Sequence, residues 1–208
     1  MPDFNNNDEY TYFDPDDTQE YVPLPRGKYS AHITNVELKR ENLSINSRSN
    51  PGAKHLCDIY NVTYEIDPSI SNLTLRDDEG NEHRGSNFSG RKVLSKGFFL
   101  FKNPNGREDH LPNPGGNARM HFLLKASGYP VDKVVIEDDM GNKKEVEKLP
   151  VYLDGDKMVG KPVIINVVHE AWTDKEGGEK ITPKESGVSE WKEGQAIELE
   201  TDTEDLPF

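Results

Sequence analysis

The chain has 208 residues, 30% of them charged, with a single cysteine and six scattered histidines. Apolar residues plus glycine reach only about 37%, yet Leu, Ile, Val and Phe still sum to about 23%, so one real core is expected with part of the chain left unpacked. The net charge of −13 is confined to the ends: residues 1–20 hold seven acids and no base, residues 193–208 six acids and no base, and residues 21–192 hold 25 of each.

No apolar run nears the ~18 residues of a membrane span. The start Met1-Pro2-Asp3-Phe4-Asn5 lacks a basic region followed by an apolar stretch. Cys57, being alone, forms no intramolecular disulfide, and no Cys/His pair has the spacing of a structural zinc site. A non-exported protein of a reducing compartment, with no metal and no cofactor, is expected.

In chain order, residues 1–25 read as a mobile acidic arm, although Tyr10, Tyr12, Phe13 and Tyr21 could dock. A fold spanning 26–192 starts near Gly27. Tyr29, Ala31 and Ile33 alternate with polar residues and the phase then slips to Val36 and Leu38, which predicts a strand bulged near Asn35. Residues 42–54 read as a loop, and Leu56, Tyr60, Val62, Tyr64 and Ile66 as a second strand ending at Asp67-Pro68.

Residues 76–91 read as a second loop. From Lys92 to Lys102 the alternation predicts a third strand with Val93, Ser95, Gly97, Phe99 and Phe101 on one face and Lys92, Leu94, Lys96, Phe98, Leu100 and Lys102 on the other. Three ammonium groups beside a ring make the second face a predicted contact surface. A helix should follow, with Ala118, Phe122, Leu123 and Ala126 at helical spacing, Asn117 as cap and Gly128 as stop.

The stretch 131–161 is weakly patterned, with a turn expected at Asp139-Met140-Gly141-Asn142. Pro162 to Trp172 is dominated by β-branched residues and reads as a central strand, and Lys180 to Trp191 as a last short strand or edge. Strands, one helix after the third, then more strands predict a mainly β chain. The expected architecture is a five-stranded, partly open OB-fold-like barrel with flexible acidic termini.

Two cationic segments run from Arg26 to Lys54 and from Arg84 to Lys125. Such runs can be solvated strand faces, but here they also carry aromatics at strand spacing. A protein that tracks an unpaired polynucleotide needs cations for phosphates and flat rings for bases. The candidate phosphate contacts are Lys28, Lys39, Arg40, Arg48, Lys54, Arg91, Lys92, Lys96 and Lys102. The candidate stacking rings are Phe98 first, then Tyr60 and Tyr64, with Trp172 as a further choice.

The last residues, Glu204, Asp205, Leu206, Pro207 and Phe208, offer a ring and a carboxylate on a stretch too acidic to bury itself. A pocket with an apolar floor and a basic rim could take both at once. This tip resembles the acidic, Pro-Phe-terminated tail of bacterial single-stranded-DNA-binding proteins. More loosely, Pro25-Arg26-Gly27-Lys28-Tyr29, Leu123-Leu124-Lys125-Ala126-Ser127-Gly128 and Val159-Gly160-Lys161-Pro162-Val163 resemble a phage family of single-stranded-DNA-binding proteins. The resemblance implies sequence-independent binding of single-stranded DNA during phage replication, recombination and repair, in the cytoplasm of an infected bacterial host. It also implies that 193–208 is a tail recruiting a polymerase, helicase, primase or nuclease. Such a protein is not an enzyme and could be a homo-oligomer.

Two other classes compete. Asp77-Asp78-Glu79, Asp138-Asp139 and Asp154 with Asp156 could hold Mg²⁺ in a nuclease. An adaptor or structural protein could use the tail alone.

Overall fold

The computed structural model describes residues 21–197 apart from 105, 138–140 and 176. The arm before Tyr21, the tip at 204–208, and Asp139-Met140 of the expected turn lie outside the described residues. Ten strands and one α-helix are present among the rest. They are β1 (Gly27–Asn46), β2 (Lys54–Ile66), β3 (Thr74–Arg76), β4 (Glu82–Arg84), β5 (Lys92–Ser95), β6 (Phe98–Phe101), α1 (Ala118–Ala126), β7 (Asp132–Glu137), β8 (Lys143–Lys148), β9 (Pro162–Thr173) and β10 (Glu179–Glu190). The mainly β character and the helix after the third predicted strand agree with the sequence pattern; the count of five strands does not.

The surplus has local causes. β3 and β4 form a small hairpin inside the expected 76–91 loop, and β7 and β8 a second one inside 131–161. The third predicted strand is broken in two. The first runs on to Asn46 instead of ending before a loop at 42, because register shifts after Ile33, Leu38 and Arg40 let β1 bend while it stays paired with β2. The shift between Ile33 and Asn35 is the bulge the sequence predicts.

The main pairings return to their start. β1 pairs antiparallel with β2 and β9, β9 with β10, β10 runs parallel to β5, and β5 pairs antiparallel with β2. β6 continues beside the first half of β2. Alternation sends Ile33, Val62, Tyr64, Val93, Val163, Ile165 and Val167 inward, where they are buried with Tyr60, Phe98 and Leu100. α1 packs on β10 and β6 and adds Met120, Leu123 and Leu124 to that core.

Phe122, predicted on the apolar helix face, is exposed instead. Asn117 occupies the N-cap position of α1, as the sequence predicts, but its side chain makes no capping bond there. Its side-chain Oδ1 accepts from the Phe101 N–H at 2.7 Å and its Nδ2 donates to the Phe101 carbonyl at 3.1 Å, so it satisfies the free edge of β6 as a neighbouring strand would.

Both ends of the described chain pack on this body. Leu24 is buried and its carbonyl accepts from His169 Nε2 at 2.8 Å; the Pro25 carbonyl accepts from Tyr29 Oη at 2.8 Å. At the other end, the Ile197 N–H donates to the Gly160 carbonyl at 3.0 Å, and a side chain at Gly160 would strike the Ile197 carbonyl at 2.1 Å. Only glycine lets the two backbones approach this closely.

Candidate nucleic-acid interface

Gly97 decides which rings reach solvent. Its φ of +92° belongs to a region that L side chains avoid, so the chain turns between β5 and β6 and the inside–outside phase advances by one residue. Before it, Val93 and Ser95 point in and Lys92 and Leu94 out; after it, Phe98 and Leu100 point in. Phe99 and Phe101, assigned by simple alternation to the core, are therefore the half-buried rings of the outer face.

The stacking residues chosen from sequence are corrected accordingly. Phe98 has no exposed surface, and the Arg119 guanidinium lies 4.6 Å from its ring centre. Tyr60 is buried, its Oη accepting from the Leu153 N–H at 3.2 Å. Tyr64 is equally buried, and burial, reinforced by Glu185, pushes its phenol well above the ordinary value. No base can reach these three. Trp172 is the exception: half its surface is exposed on the β9–β10 ribbon, and its Nε1 donates to Thr182 Oγ1 at 2.9 Å.

The outer face can be followed by register. Arg40 of β1 lies opposite Ile59 of β2, which lies opposite Phe99 of β6; Leu43, Cys57 and Phe101 form the next row, and Ile45 with His55 the one after. The Phe99 and Phe101 rings stand 6.0 Å apart and 18° from parallel, and His55 meets Phe101 edge-on at 5.9 Å. Burial pushes the Cys57 thiol up to about 11, with Asp58 adding to the effect, so it sits in this row as an inert apolar group.

Beside the rings runs a groove of about 410 Å³, floored by Phe99, Phe101 and Leu111 and rimmed by Arg48, Asn50 and His55. His55 is held by a 2.8 Å contact from Nδ1 to the Leu111 carbonyl, and Asn117 fixes Phe101 through its backbone. The rings thus rest on positioned backbone rather than on a loose loop.

The predicted cations divide into committed and uncommitted groups. Lys102 Nζ sits 2.6 Å from Oδ2 of the fully buried Asp58, and Asp58 Oδ1 accepts from the Asn42 N–H at 2.8 Å. That pair ties β6 to the β1 bulge, so Lys102 is a structural residue here. Arg91 is likewise taken: it donates through Nη1 to the Val22 carbonyl and lies over Phe88 at 4.8 Å and Tyr21 at 5.2 Å. Lys54 pairs with Asp109 at 3.1 Å, and Lys96 loosely with Glu170 at 3.9 Å.

Lys28, Lys39, Arg40, Arg48 and Lys92 are exposed and form no ion pair among the described residues. Arg40 lies in the Phe99 row and Arg48 lines the groove beside the rings, whereas Lys92 lies opposite Glu65, six residues along β2 from the partner of Phe99. Lys39 occupies a bulge without a register partner, and Lys28 lies beside Asn166, where β1 pairs with β9 rather than β2. Sequence reasoning missed Phe99, Phe101, His55, and Lys184, which lies opposite Leu94 on β10. The isolated Gly97 inside an alternating strand was the available signal.

The carboxylate clusters serve turns. Asp77 accepts from the backbone of Glu79 and Asn81 and contacts His83 at 2.9 Å, Asp78 pairs with Arg26 at 3.1 Å, and Asp154 with Lys157 at 3.4 Å. Asp138 and Asp139 lie outside the described residues. Compared with protein-family models, curated proteins and solved structures, the chain matches none.

Proposed function

We propose that this protein binds single-stranded DNA without sequence preference, through the outer face of β1, β2, β5 and β6. The observation that carries the reading is the near-parallel Phe99 and Phe101 pair on an outward surface, with Arg40 in the Phe99 row, Arg48 lining the adjacent groove, and Lys92 and Lys96 exposed on the β5 side. Unpaired bases have free π-faces, and stacking them on a protein ring is worth roughly 1–3 kcal/mol per base. Trp172 extends the stacking surface onto the β9–β10 ribbon. We read the ring of pairings β1-β2-β5-β10-β9 as an OB-fold-like barrel, with β5 and β6 together as its third strand. In that architecture this face and its loops bind oligonucleotides.

On this reading the protein coats DNA during phage replication, recombination and repair in an infected bacterium, performs no catalysis itself, and recruits replication proteins through Glu204, Asp205, Leu206, Pro207 and Phe208. If about four phosphates are neutralised per site, a fourfold rise in salt weakens binding about 50-fold. Titrating poly(dT) while following tryptophan fluorescence at two salt concentrations tests this. Saturable, strongly salt-dependent quenching supports the proposal; no signal and no mobility shift at low salt overturns it in favour of an adaptor that uses only the tail. Metal-dependent loss of the oligonucleotide would instead favour a nuclease.

A further inference from the structure

The groove beside the rings lies between two fixed walls. On one side the turn from β1 to β2 is closed by the Ser47 N–H, which donates to the Ala53 carbonyl at 2.8 Å, and by Ser47 Oγ, which accepts from the Asn50 N–H at 3.2 Å. Gly52, with a φ of +89°, lets the chain reverse there. On the other side the Lys54 N–H donates to the Asp109 carbonyl at 2.9 Å and the Leu111 N–H to the Lys54 carbonyl at 2.8 Å, so the chain around His110 lies along the start of β2 as a strand would. His110 is buried in this wall, with Nε2 2.9 Å from Ser44 Oγ and Nδ1 2.7 Å from Asp109 Oδ1. The space between the walls, about 410 Å³, falls within the roughly 300–1,000 Å³ of pockets that hold small ligands.

Three side chains on the rim keep hydrogen-bonding groups in reserve. Arg48 and Asn50 are exposed, and neither side chain has a partner among the described residues. Chemistry fixes the state of the third. The Leu111 carbonyl, 2.8 Å from His55 Nδ1, can only accept, so Nδ1 carries the hydrogen. In the neutral ring that leaves Nε2 with a lone pair, and nothing among the described residues donates to it. The imidazole is also held edge-on to Phe101, with 5.9 Å between ring centres. Above an apolar floor of Phe99, Phe101 and Leu111 the groove therefore offers one bare acceptor, one group that only donates, and one amide that does either.

That set matches a feature common to all four bases. Each has an N–H donor beside an acceptor on its Watson–Crick edge: N6–H and N1 in adenine, N4–H and N3 in cytosine, N1–H and O6 in guanine, N3–H and O4 in thymine. In a duplex the opposite strand occupies these atoms; in a single strand they are free, and splayed-out bases are read through them. We propose that the groove is an edge-reading subsite, in which one base of the bound strand leaves the stack on Phe99 and Phe101 and lays its Watson–Crick edge against His55 Nε2, Arg48 and Asn50. The inference rests on the reading of the adjoining face as a single-strand binding surface, and it adds a property that cations alone do not give. Phosphate contacts attract duplex and single strand alike. A donor and an acceptor that engage the pairing edge select the unpaired strand without selecting a sequence. Because both walls are already fixed by backbone hydrogen bonds, little has to be ordered when the base enters.

The test titrates three proteins with fluorescent (dT)12 and with the same oligomer methylated at every thymine N3, which blocks the pairing edge but keeps the charge, the sugars and the ring faces. The proteins are the full chain, His55→Phe, and a double variant carrying Arg48→Met and Asn50→Ala. The full chain should bind the methylated oligomer about 10-fold more weakly, the effect of one or two lost hydrogen bonds, and the difference should largely vanish in both variants. His55→Phe should weaken binding of (dC)12 as much as that of (dT)12, because the subsite is blind to which base enters. The double variant leaves the bond between His55 and Leu111 in place, so it decides the matter if His55→Phe does not fold. Equal binding of the two thymidine oligomers by the full chain overturns the proposal, as does a methylation effect that persists undiminished in the double variant, or a His55→Phe cost confined to thymidine. Failure of all three proteins to bind any of these oligomers would instead overturn the single-strand reading itself, and this inference with it.

Discussion

β5 and β6 are consecutive four-residue strands with continuous alternation in the sequence, yet they present opposite phases to solvent. In β5 the even-numbered residues Lys92 and Leu94 face out; in β6 the even-numbered Phe98 and Leu100 face in and the rings of Phe99 and Phe101 face out. One glycine with a left-handed backbone separates them. The same pattern of residues yields a cationic strip and an aromatic strip on one surface only because the phase is shifted between them; without the shift, Phe98 would stand among lysines and Phe99 and Phe101 would fill the core.

That contrast is open to direct attack. Phe98→Ala should cost about 3–5 kcal/mol of stability, as for other large buried rings, and denaturant unfolding would show it. If the variant unfolds like the parent but loses DNA affinity, the phase shift is wrong. Phe99→Ala should do the reverse, costing only about 1 kcal/mol of stability, the ordinary size for a point substitution, because its ring is half-buried rather than enclosed. It should also weaken poly(dT) binding by about 1–3 kcal/mol, roughly 5- to 150-fold.

Sharpening the cationic half needs smaller effects. Replacing Arg40 and Lys96 together by Ala should lower the slope of log affinity against log salt by about 0.7 for each phosphate no longer neutralised, measured by the same titration over a salt series. Lys102→Ala is the control: leaving Asp58 buried without its partner should destabilise the fold by about 3–5 kcal/mol. A salt slope shifted as for Arg40, without that loss of stability, would return Lys102 to the phosphate-binding set.

The smallest expected effect concerns the β3–β4 hairpin. Hydrogen bonds from His83 and Asn81 hold the Asp77 carboxyl well below its ordinary 3.8. A carboxyl depressed in the folded state stabilises above its unfolded pKa and loses that contribution as pH falls below it. Asp77→Asn should therefore lower the melting temperature slightly at pH 7, and the difference from the parent should close as pH drops below about 3.8. A pH-independent difference would mean that the carboxylate charge is not what holds the turn.

Much of the architecture is legible in local pattern. The bulge after Ile33, the inward row of Val163, Ile165 and Val167, and the end of α1 before Gly128 all follow from periodicity and from residues with narrow backbone preferences. The site was harder to read because its decisive features are non-local. Lys102 looks like any strand lysine until the fold brings the buried Asp58 against it, and Arg91 looks free until Tyr21 and Val22 fold over it. Asn117 has the sequence of a helix cap but spends its amide on the Phe101 backbone, a partner 16 residues away. The β7–β8 hairpin stands largely on its own, with Val135 and Ile136 exposed, so it lacks the clear apolar face by which a strand announces itself.

Photo-crosslinking would show whether single-stranded DNA lies on the Phe99–Phe101 face. Oligo(dT) carrying a photoactivatable halogenated uracil would be irradiated with the full chain at low salt and the adducts mapped by mass spectrometry. Adducts should form on Phe99, Phe101 or Trp172 and be lost when the rings are replaced. Adducts confined to other surfaces, such as Phe122 or Tyr152, would place the DNA elsewhere and overturn the assignment of this face.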